Sequence, residues 1–280
     1  MAVVTSAPGT VPRAGTLDNV DLIASDLDGT LLRSDGTVSP RTLATLDAID
    51  AAGSRFVMVT GRPIRWLPEV LDQTGVRGPV ICANGGVVYD PESDTVLDHT
   101  PLLPHVVAEV MAALSHELPD VSFAVEVDHG RAMLSEVAYP SHPGDIGWRT
   151  VPRAALGAAP VAKLLARCVD AAPEEFLARC TKLLDGTVQV TSSSRAALVE
   201  ISAIGVTKAS GLAWYAERHG IDPSGVTAYG DMPNDVPMLS WAGRGVAMAN
   251  AHPLALEVAD EVTGSNDADG VAVHLESLFG

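Results

Sequence analysis

The strongest constraint on this chain is a short apolar run, Val20, Leu22, Ile23 and Ala24, that delivers Ser25-Asp26-Leu27-Asp28-Gly29-Thr30. Such a run reads as a strand buried on both faces, and the glycine marks a turn directly after it. In extended backbone, residues two apart project to the same side, so Asp26 and Asp28 both face the space beyond the strand's carboxyl end. In an open parallel α/β sheet that space is where ligands bind. Asp and Gly are also ordinary turn residues, and the hexapeptide alone is equally compatible with a solvated turn. The decision rests on what the other strand ends carry.

Leu31 to Val38, around Ser34-Asp35-Gly36, reads as a short loop or flap. A helix follows, with Ser39 as cap, Pro40 in the first turn, a stripe of Leu43, Leu46 and Ile49, and Gly53 as stop. Phe56 to Thr60 is a second buried strand that ends in Thr60-Gly61-Arg62-Pro63, with a helix through Ile64, Leu67 and Leu71. Pro79 to Cys82 is a third strand, running into Ala83-Asn84-Gly85-Gly86.

The texture changes at Val87. Val87-Val88-Tyr89 and Thr95-Val96-Leu97 read as a hairpin, His105 to Leu118 as a helix, and Phe123 to Val127 with Arg131 to Ser135 as strands about the Asp128-His129-Gly130 turn. Tyr139 to Ala159 is rich in Pro and Gly and reads as irregular loop, with Tyr139 and Trp148 expected to pack. Val161 to Val169 is a strand, Pro173 to Leu184 a helix, and Val188 to Ser192 with Ala196 to Ile201 a second hairpin. Strands pairing through hairpins with two helices on one side make an inserted α+β unit. Its histidines, His99, His105, His129 and His142, are expected to have no role at the site.

Alternation of helix and strand then resumes. Thr207 or Lys208 opens a helix closed by Gly220, and the strand Val226 to Tyr229 leads into Gly230-Asp231-Met232-Pro233-Asn234-Asp235. Gly245 to Met248 and Glu261 to Thr263 are extended, and Pro253 to Ala259 and Gly270 to Phe279 are helical. The expected architecture is α/β: a Rossmann-like, doubly wound parallel sheet over residues 20–86 and 203–280, with the α+β unit inserted over 87–202 and a loose tail over 1–19.

Composition excludes several classes of partner. A formal charge of −17 with no Lys/Arg cluster repels a phosphate backbone, so nucleic acid is not expected to bind. No run of 18 uncharged apolar residues spans a membrane, and the first 19 residues lack the pattern of a signal peptide. Cys82, Cys168 and Cys180 have no C-x-x-C spacing and read as reduced thiols, in keeping with the cytoplasm. The expected assembly is a monomer or a weak homodimer.

Strand ends thus supply Asp26 with Asp28, Thr60, Asn84, and Asp231 with Asp235, while a helix start supplies Lys208. Converging carboxylates repel unless a cation lies among them, and an oxygen-preferring divalent ion is implied. Mg²⁺ suits such a set, because it takes one or two carboxylates and completes its shell with water and phosphate oxygens. In this constellation Asp26 is a nucleophile toward phosphorus, Asp28 the acid and then base, and Thr60 and Lys208 the phosphoryl grips.

In the order and spacing of Asp26-Leu27-Asp28-Gly29-Thr30, Thr60-Gly61-Arg62, Lys208 and Gly230-Asp231-Met232-Pro233-Asn234-Asp235, the chain resembles the haloacid dehalogenase superfamily. The resemblance is to Cof-like phosphatases with a large inserted cap, and Gly245 to Ala251 and Ser265 to Ala272 extend it. It implies that Asp26 and Asp231 side chains and the Asp28 main-chain carbonyl bind Mg²⁺, with Asp235 and Asn234 supporting. It further implies that Thr60, Gly61, Arg62, Asn84, Lys208 and Asn234 surround phosphate and substrate. The expected substrate is a small phosphorylated metabolite, a sugar phosphate or a cofactor phosphate such as pyridoxal phosphate or flavin mononucleotide. The alternatives are a phosphomutase or a mannosyl- or sucrose-type sugar-phosphate phosphatase, and, from another class, a phospho-aspartate signalling switch. Pro233, where the family often has a small flexible residue, and Pro237 mark a stiffer acidic loop.

Overall fold

The computed structural model describes residues 20–76, 78–140, 147–193 and 196–279; the expected tail and His142 lie outside them. The chain opens with β1 (Leu22–Ser25), α1 (Pro40–Ala51), β2 (Arg55–Val59), α2 (Pro68–Thr74), β3 (Val80–Cys82), β4 (Val87–Asp90) and β5 (Thr95–His99). Next come α3 (Pro104–Glu117), β6 (Ser122–Val127), β7 (Ala132–Ser135), β8 (Trp148–Thr150), β9 (Lys163–Arg167), α4 (Pro173–Leu183), β10 (Gln189–Thr191) and β11 (Leu198–Ser202). The last third is α5 (Lys208–Arg218), β12 (Val226–Gly230), α6 (Val236–Trp241), β13 (Arg244–Ala247), α7 (Pro253–Val258), β14 (Glu261–Val262) and α8 (Gly270–Phe279).

Eight strands form one sheet in the order β14-β13-β12-β1-β2-β3-β4-β5, parallel from β14 to β3. From β1 the winding runs outward through β2 and β3, and the returning chain winds the other way through β12, β13 and β14. The order therefore reverses between β1 and β12, which is where such sheets open a crevice. Side chains alternate between the faces. Leu22, Ala24, Val57 and Val59 pack with Leu212 and Tyr215 of α5, whereas Ile23 and Met58 pack with Leu46 and Ile49 of α1 and Leu275 of α8. Each buried side chain of this size contributes about 1.5–3 kcal/mol by leaving water.

The hairpin β4–β5 belongs to this sheet. The sequence assigned it to the insert, but Val80, Ile81 and Cys82 pair antiparallel with Tyr89, Val88 and Val87, so the chain leaves the first sheet only after His99. The open edge of short β3 accounts for the difference, because it offers unpaired backbone groups to the next extended segment. Residues 203–206 and Thr207 then bring the chain back. Thr100 donates its amide to the Gly86 carbonyl, and a Cβ at Gly85 would lie 2.0 Å from the Thr207 carbonyl oxygen, so both crossings rest on the Gly85-Gly86 turn.

The second sheet has the order β10-β11-β9-β6-β7-β8. Phe123, Val125, Leu164, Ala166, Val199 and Ile201 face α3 and α4, forming a separate core. Helices cover that face alone. β8 lies within the stretch expected to be irregular; there Trp148 donates to Ser135 Oγ at 2.7 Å and meets Tyr139 edge-on, which is the expected packing role.

Caps follow the sequence. Ser39 Oγ accepts the Thr42 amide at 3.0 Å, and Thr207 exchanges side-chain hydrogen bonds with Ser210, making Lys208 the first residue of α5. Pro237 lies in the first turn of α6, a helix not foreseen, where a missing amide costs nothing. A Cβ on Gly211 would lie 2.6 Å from Ile81 and 2.9 Å from the Gly85 backbone, so only glycine lets α5 approach β3 this closely. Gly211→Ala is expected to lower stability by about 1–3 kcal/mol, read as a shifted urea midpoint. An unchanged midpoint would contradict this packing.

Candidate active site

The crevice at the order reversal gathers the acidic residues from two separate strand ends. Asp26 follows β1, and Asp231 and Asp235 follow β12; one carboxylate oxygen from each lies within 4.8 Å of the others. Lys208 enters beneath them, fully buried, with Nζ 2.7 Å from Asp26 Oδ1 and 2.6 Å from Asp235 Oδ1. Asp235 is engaged on both oxygens, because Oδ2 accepts the amides of Asp231 and Met232 at 3.0 and 2.9 Å. It organises the loop. Thr30 donates to Asp231 Oδ1 at 3.0 Å, and Gly29 is required here, since a Cβ on it would lie 2.4 Å from Asp231 Oδ2.

One lysine does not balance three carboxylates. Burial, and then the charges of Asp235 and Asp231, push Asp26 well above the usual carboxylate range against the pull of Lys208. Burial and then Asp235 push Asp231 up to about 7. Lys208 is pushed above its ordinary value, since Asp235 and Asp26 outweigh the cost of burying it. The donor set is all oxygen and carries excess negative charge. It fits a hard divalent cation held by Asp26 and Asp231, with Asp235 already committed to the loop.

Asp28 stands apart from this cluster. Its exposed carboxylate is held in a fork by Arg62, with Nε and Nη2 at 2.7 and 2.6 Å, so only its main-chain carbonyl is left to serve a metal. Thr60 is buried at the end of β2; its hydroxyl accepts the Arg62 amide at 3.0 Å and keeps its proton to donate. Asn84 has φ +58°, and its amide reaches back to the Thr60 carbonyl at 3.0 Å. Asn234 donates to Asn84 Oδ1 at 3.0 Å, while its own Oδ1 is buried without a partner among the described residues. Asp26, Asp28, Gly61, Arg62 and Asn234 thus line one cleft of about 880 Å³, Asp231, Asp235 and Lys208 join Asp26 in the cluster at its floor, and Thr60 and Asn84 stand behind the lining, bonded to Arg62 and Asn234.

The open face of the second sheet forms the opposite wall, and its polar residues were not anticipated. Glu126, Lys163, Leu165, Leu198 and Glu200 face the cleft, along with Ser193. Glu126 forms a buried ion pair with Arg65 from the turn after Arg62. Lys163 donates to the Gly61 carbonyl at 2.8 Å and to Glu200 Oε2 at 2.9 Å. A sequence signal existed: Lys163 and Glu200 each interrupt an apolar stretch, Val161-Ala162-Lys163-Leu164-Leu165 and Leu198-Val199-Glu200-Ile201. Of the four histidines expected to have no role, the three among the described residues stay out of the cleft. His99 and His129 contact one another edge-on at 4.6 Å, and neither His99, His105 nor His129 lines it.

The sequence model of a haloacid dehalogenase-like hydrolase family matches residues 23–275. Over 272 residues the chain is 30% identical to a 5-amino-6-(5-phospho-D-ribitylamino)uracil phosphatase of Bacillus subtilis, with 92% of this chain and 97% of that protein covered. It is also 30% identical over 249 residues to a phosphoglycolate phosphatase of Natronomonas pharaonis, with coverage of 89% and 93%. Among solved structures, a haloacid dehalogenase-like hydrolase from B. subtilis superposes with a TM-score of 0.79 at 25% identity, covering 92% of this chain and all of that one.

Proposed function

The chain belongs to the haloacid dehalogenase-like hydrolases, and on that footing we propose that it is a Mg²⁺-dependent phosphomonoesterase acting on a small phosphorylated metabolite through a phosphoryl-enzyme on Asp26. The observation that carries this reading is the meeting of Asp26, Asp231 and Asp235 over Lys208 at the order reversal. Asp26 and Asp231 side chains and the Asp28 carbonyl would hold the ion. When bound, it supplies positive charge to the phosphoryl oxygens and keeps Asp26 ionised.

The remaining work falls to the chain's own groups. Asp26 attacks phosphorus as the ester P–O bond breaks, and Asp28 gives its proton to the departing alcohol oxygen. Asp28 then takes a proton from water, whose oxygen attacks phosphorus, and the bond to Asp26 breaks to release phosphate. Lys208 and the Thr60 hydroxyl hold the phosphoryl oxygens as charge builds on them. A carboxylate clamped by two N–H donors is a poor proton donor, so the Arg62–Asp28 fork opens as substrate enters. The inserted unit, from Thr100 to Val206, serves as the cap that excludes water and reads the leaving group.

The relatives' substrates are a ribityl phosphate and phosphoglycolate, so these, hexose phosphates and pyridoxal phosphate make the first panel. Phosphate release that needs Mg²⁺ and stops with EDTA is the expected result; no metal-dependent turnover on any of them would refute the reading.

The metal should also leave a signature in stability. Asp231 titrates near pH 7 in the metal-free fold but at its ordinary 3.8 when unfolded, so the native state takes up a proton between those values. Native stability from this group is therefore present at low pH and falls as pH rises from about 4 to 7. Mg²⁺ competes with that proton at pH 5 and not at pH 8. Its effect on Tm is expected to be clearly larger at pH 8, and equal shifts at both pH values would contradict this account.

A further inference from the structure

The reaction makes no direct use of Lys163 and Glu200, although both are about 95% buried as side chains. Burying an ion pair costs about as much as it returns, and apolar residues of similar size would seal two packed layers equally well. Their partners suggest another role. Lys163 Nζ holds the carbonyl of Gly61, between Thr60 and Arg62. Glu200 accepts Lys163 and Asn84 on Oε2 and Ser193 on Oε1. Asn84 in turn accepts Asn234 Nδ2 at 3.0 Å, and Asn234 belongs to the acidic turn that carries Asp231 and Asp235.

The loop so held does not hold itself. Ala83, Asn84 and Gly85 have φ of +50°, +58° and +96°, a run in which two non-glycine residues each cost of order 1 kcal/mol or more. Such backbone persists where surroundings over-determine it, and Glu200, from the other sheet, supplies the side-chain anchor. Two further features converge on the same point. A Cβ on Gly61 would lie 3.0 Å from Asn84 Oδ1 and 3.6 Å from Glu200 Oε2, so the two loops and the anchor are in contact. Burial raises the Glu200 carboxyl, but Lys163 and the donors Ser193 and Asn84 more than reverse this, so it stays ionised as an anchor.

We propose that Lys163 and Glu200 are positioning residues: carried by the second sheet, they set the Thr60–Arg62 and Asn84 loops of the first, so the phosphoryl grip is complete only when the second sheet is docked. The proposal rests on the phosphatase reading, and it separates turnover of the phosphoryl group from recognition of what leaves.

Acetyl phosphate, whose leaving group is only acetate, and a hexose 6-phosphate are compared in full-length Lys163→Met, Glu200→Gln, Asn84→Ala and the Asn84→Ala/Glu200→Gln double variant. On acetyl phosphate each single change is expected to lower kcat about 10–100-fold with KM within about threefold, as loss of alignment does. The double variant is expected to fall no further than the worse single one, because both break the same line. Lys163→Arg, which keeps charge and donors, recovers most of kcat. Losses confined to the hexose phosphate would make the pair a leaving-group contact and overturn the proposal. So would folded variants with normal kcat and merely lowered Tm, or single effects that multiply in the double variant. Should Glu200→Gln fail to fold, Lys163→Met and Lys163→Arg carry the same comparison. Where the wild type turns over neither compound, the same comparison is made on whichever member of the phosphate panel it does hydrolyse; absence of Mg²⁺-dependent turnover on all of them would instead refute the phosphatase reading, and the positioning role with it.

Discussion

Asp26→Asn is expected to abolish turnover, with kcat down by about 10⁴-fold or more, because the amide cannot form the bond to phosphorus. The loss is expected without a loss of fold. Asn is the same size, and its Oδ1 can still accept from Lys208, which lies 2.7 Å from the present carboxylate oxygen. Stability in the absence of metal should rise or stay level. Burial and the charges of Asp235 and Asp231 make ionised Asp26 unfavourable there, and a neutral side chain removes that repulsion. Phosphate release and thermal unfolding in EDTA check both halves. A variant with near-normal activity would refute the nucleophile assignment, and one that melts well below the parent would refute the electrostatic account of the cluster.

Lys208→Met is the second large effect, and it differs in kind. Met fills similar volume but removes the cation fully buried between Asp26 and Asp235. Breaking a buried pair by removing one partner costs about 3–5 kcal/mol, which for a chain of this size lowers Tm by about 6–20 °C. The sign is clear at neutral pH. The lysine is held above its ordinary value, so its contribution is complete below about pH 10.5 and is lost only above it. Mg²⁺ is expected to return part of the stability, since it too neutralises the carboxylates. It should not return activity, for the grip on the transferring phosphoryl group is gone, a loss of about 10²–10³ in kcat. Calorimetry and steady-state kinetics on one preparation separate the two, and a variant as stable and active as the parent would contradict both.

The first sheet was legible because its strands are buried on both faces and each ends in a polar turn. Asp26, Thr60, Asn84 and Asp231 could be placed at strand ends from apolar runs alone, and Thr207-Lys208 from helix-cap chemistry. Less legible were features set by pairing between distant segments. Val87 to His99 has the local pattern of any hairpin, and only the free edge of β3 makes it part of the first sheet. β8 gains its partner from β7 in a stretch without periodicity. The Arg62–Asp28 fork and the Lys163–Glu200 anchor join residues 34 and 37 positions apart, and spacing carries no trace of either. What the sequence did offer for the anchor was a charge where the strand pattern wanted an apolar side chain.

Both crossings of the insert rest on Gly85-Gly86, so the chain departs and returns at nearly one point. The consequence is modularity. An insertion whose ends meet imposes little strain on its host, whatever its length, and the eight-stranded sheet builds its two cores almost entirely from its own residues, Ala162 being the insert's one buried contribution among the described residues. Variation in the insert can then change which molecules are admitted while the phosphoryl chemistry beneath is inherited intact, provided each new insert again presents the strand charges that hold the loops below.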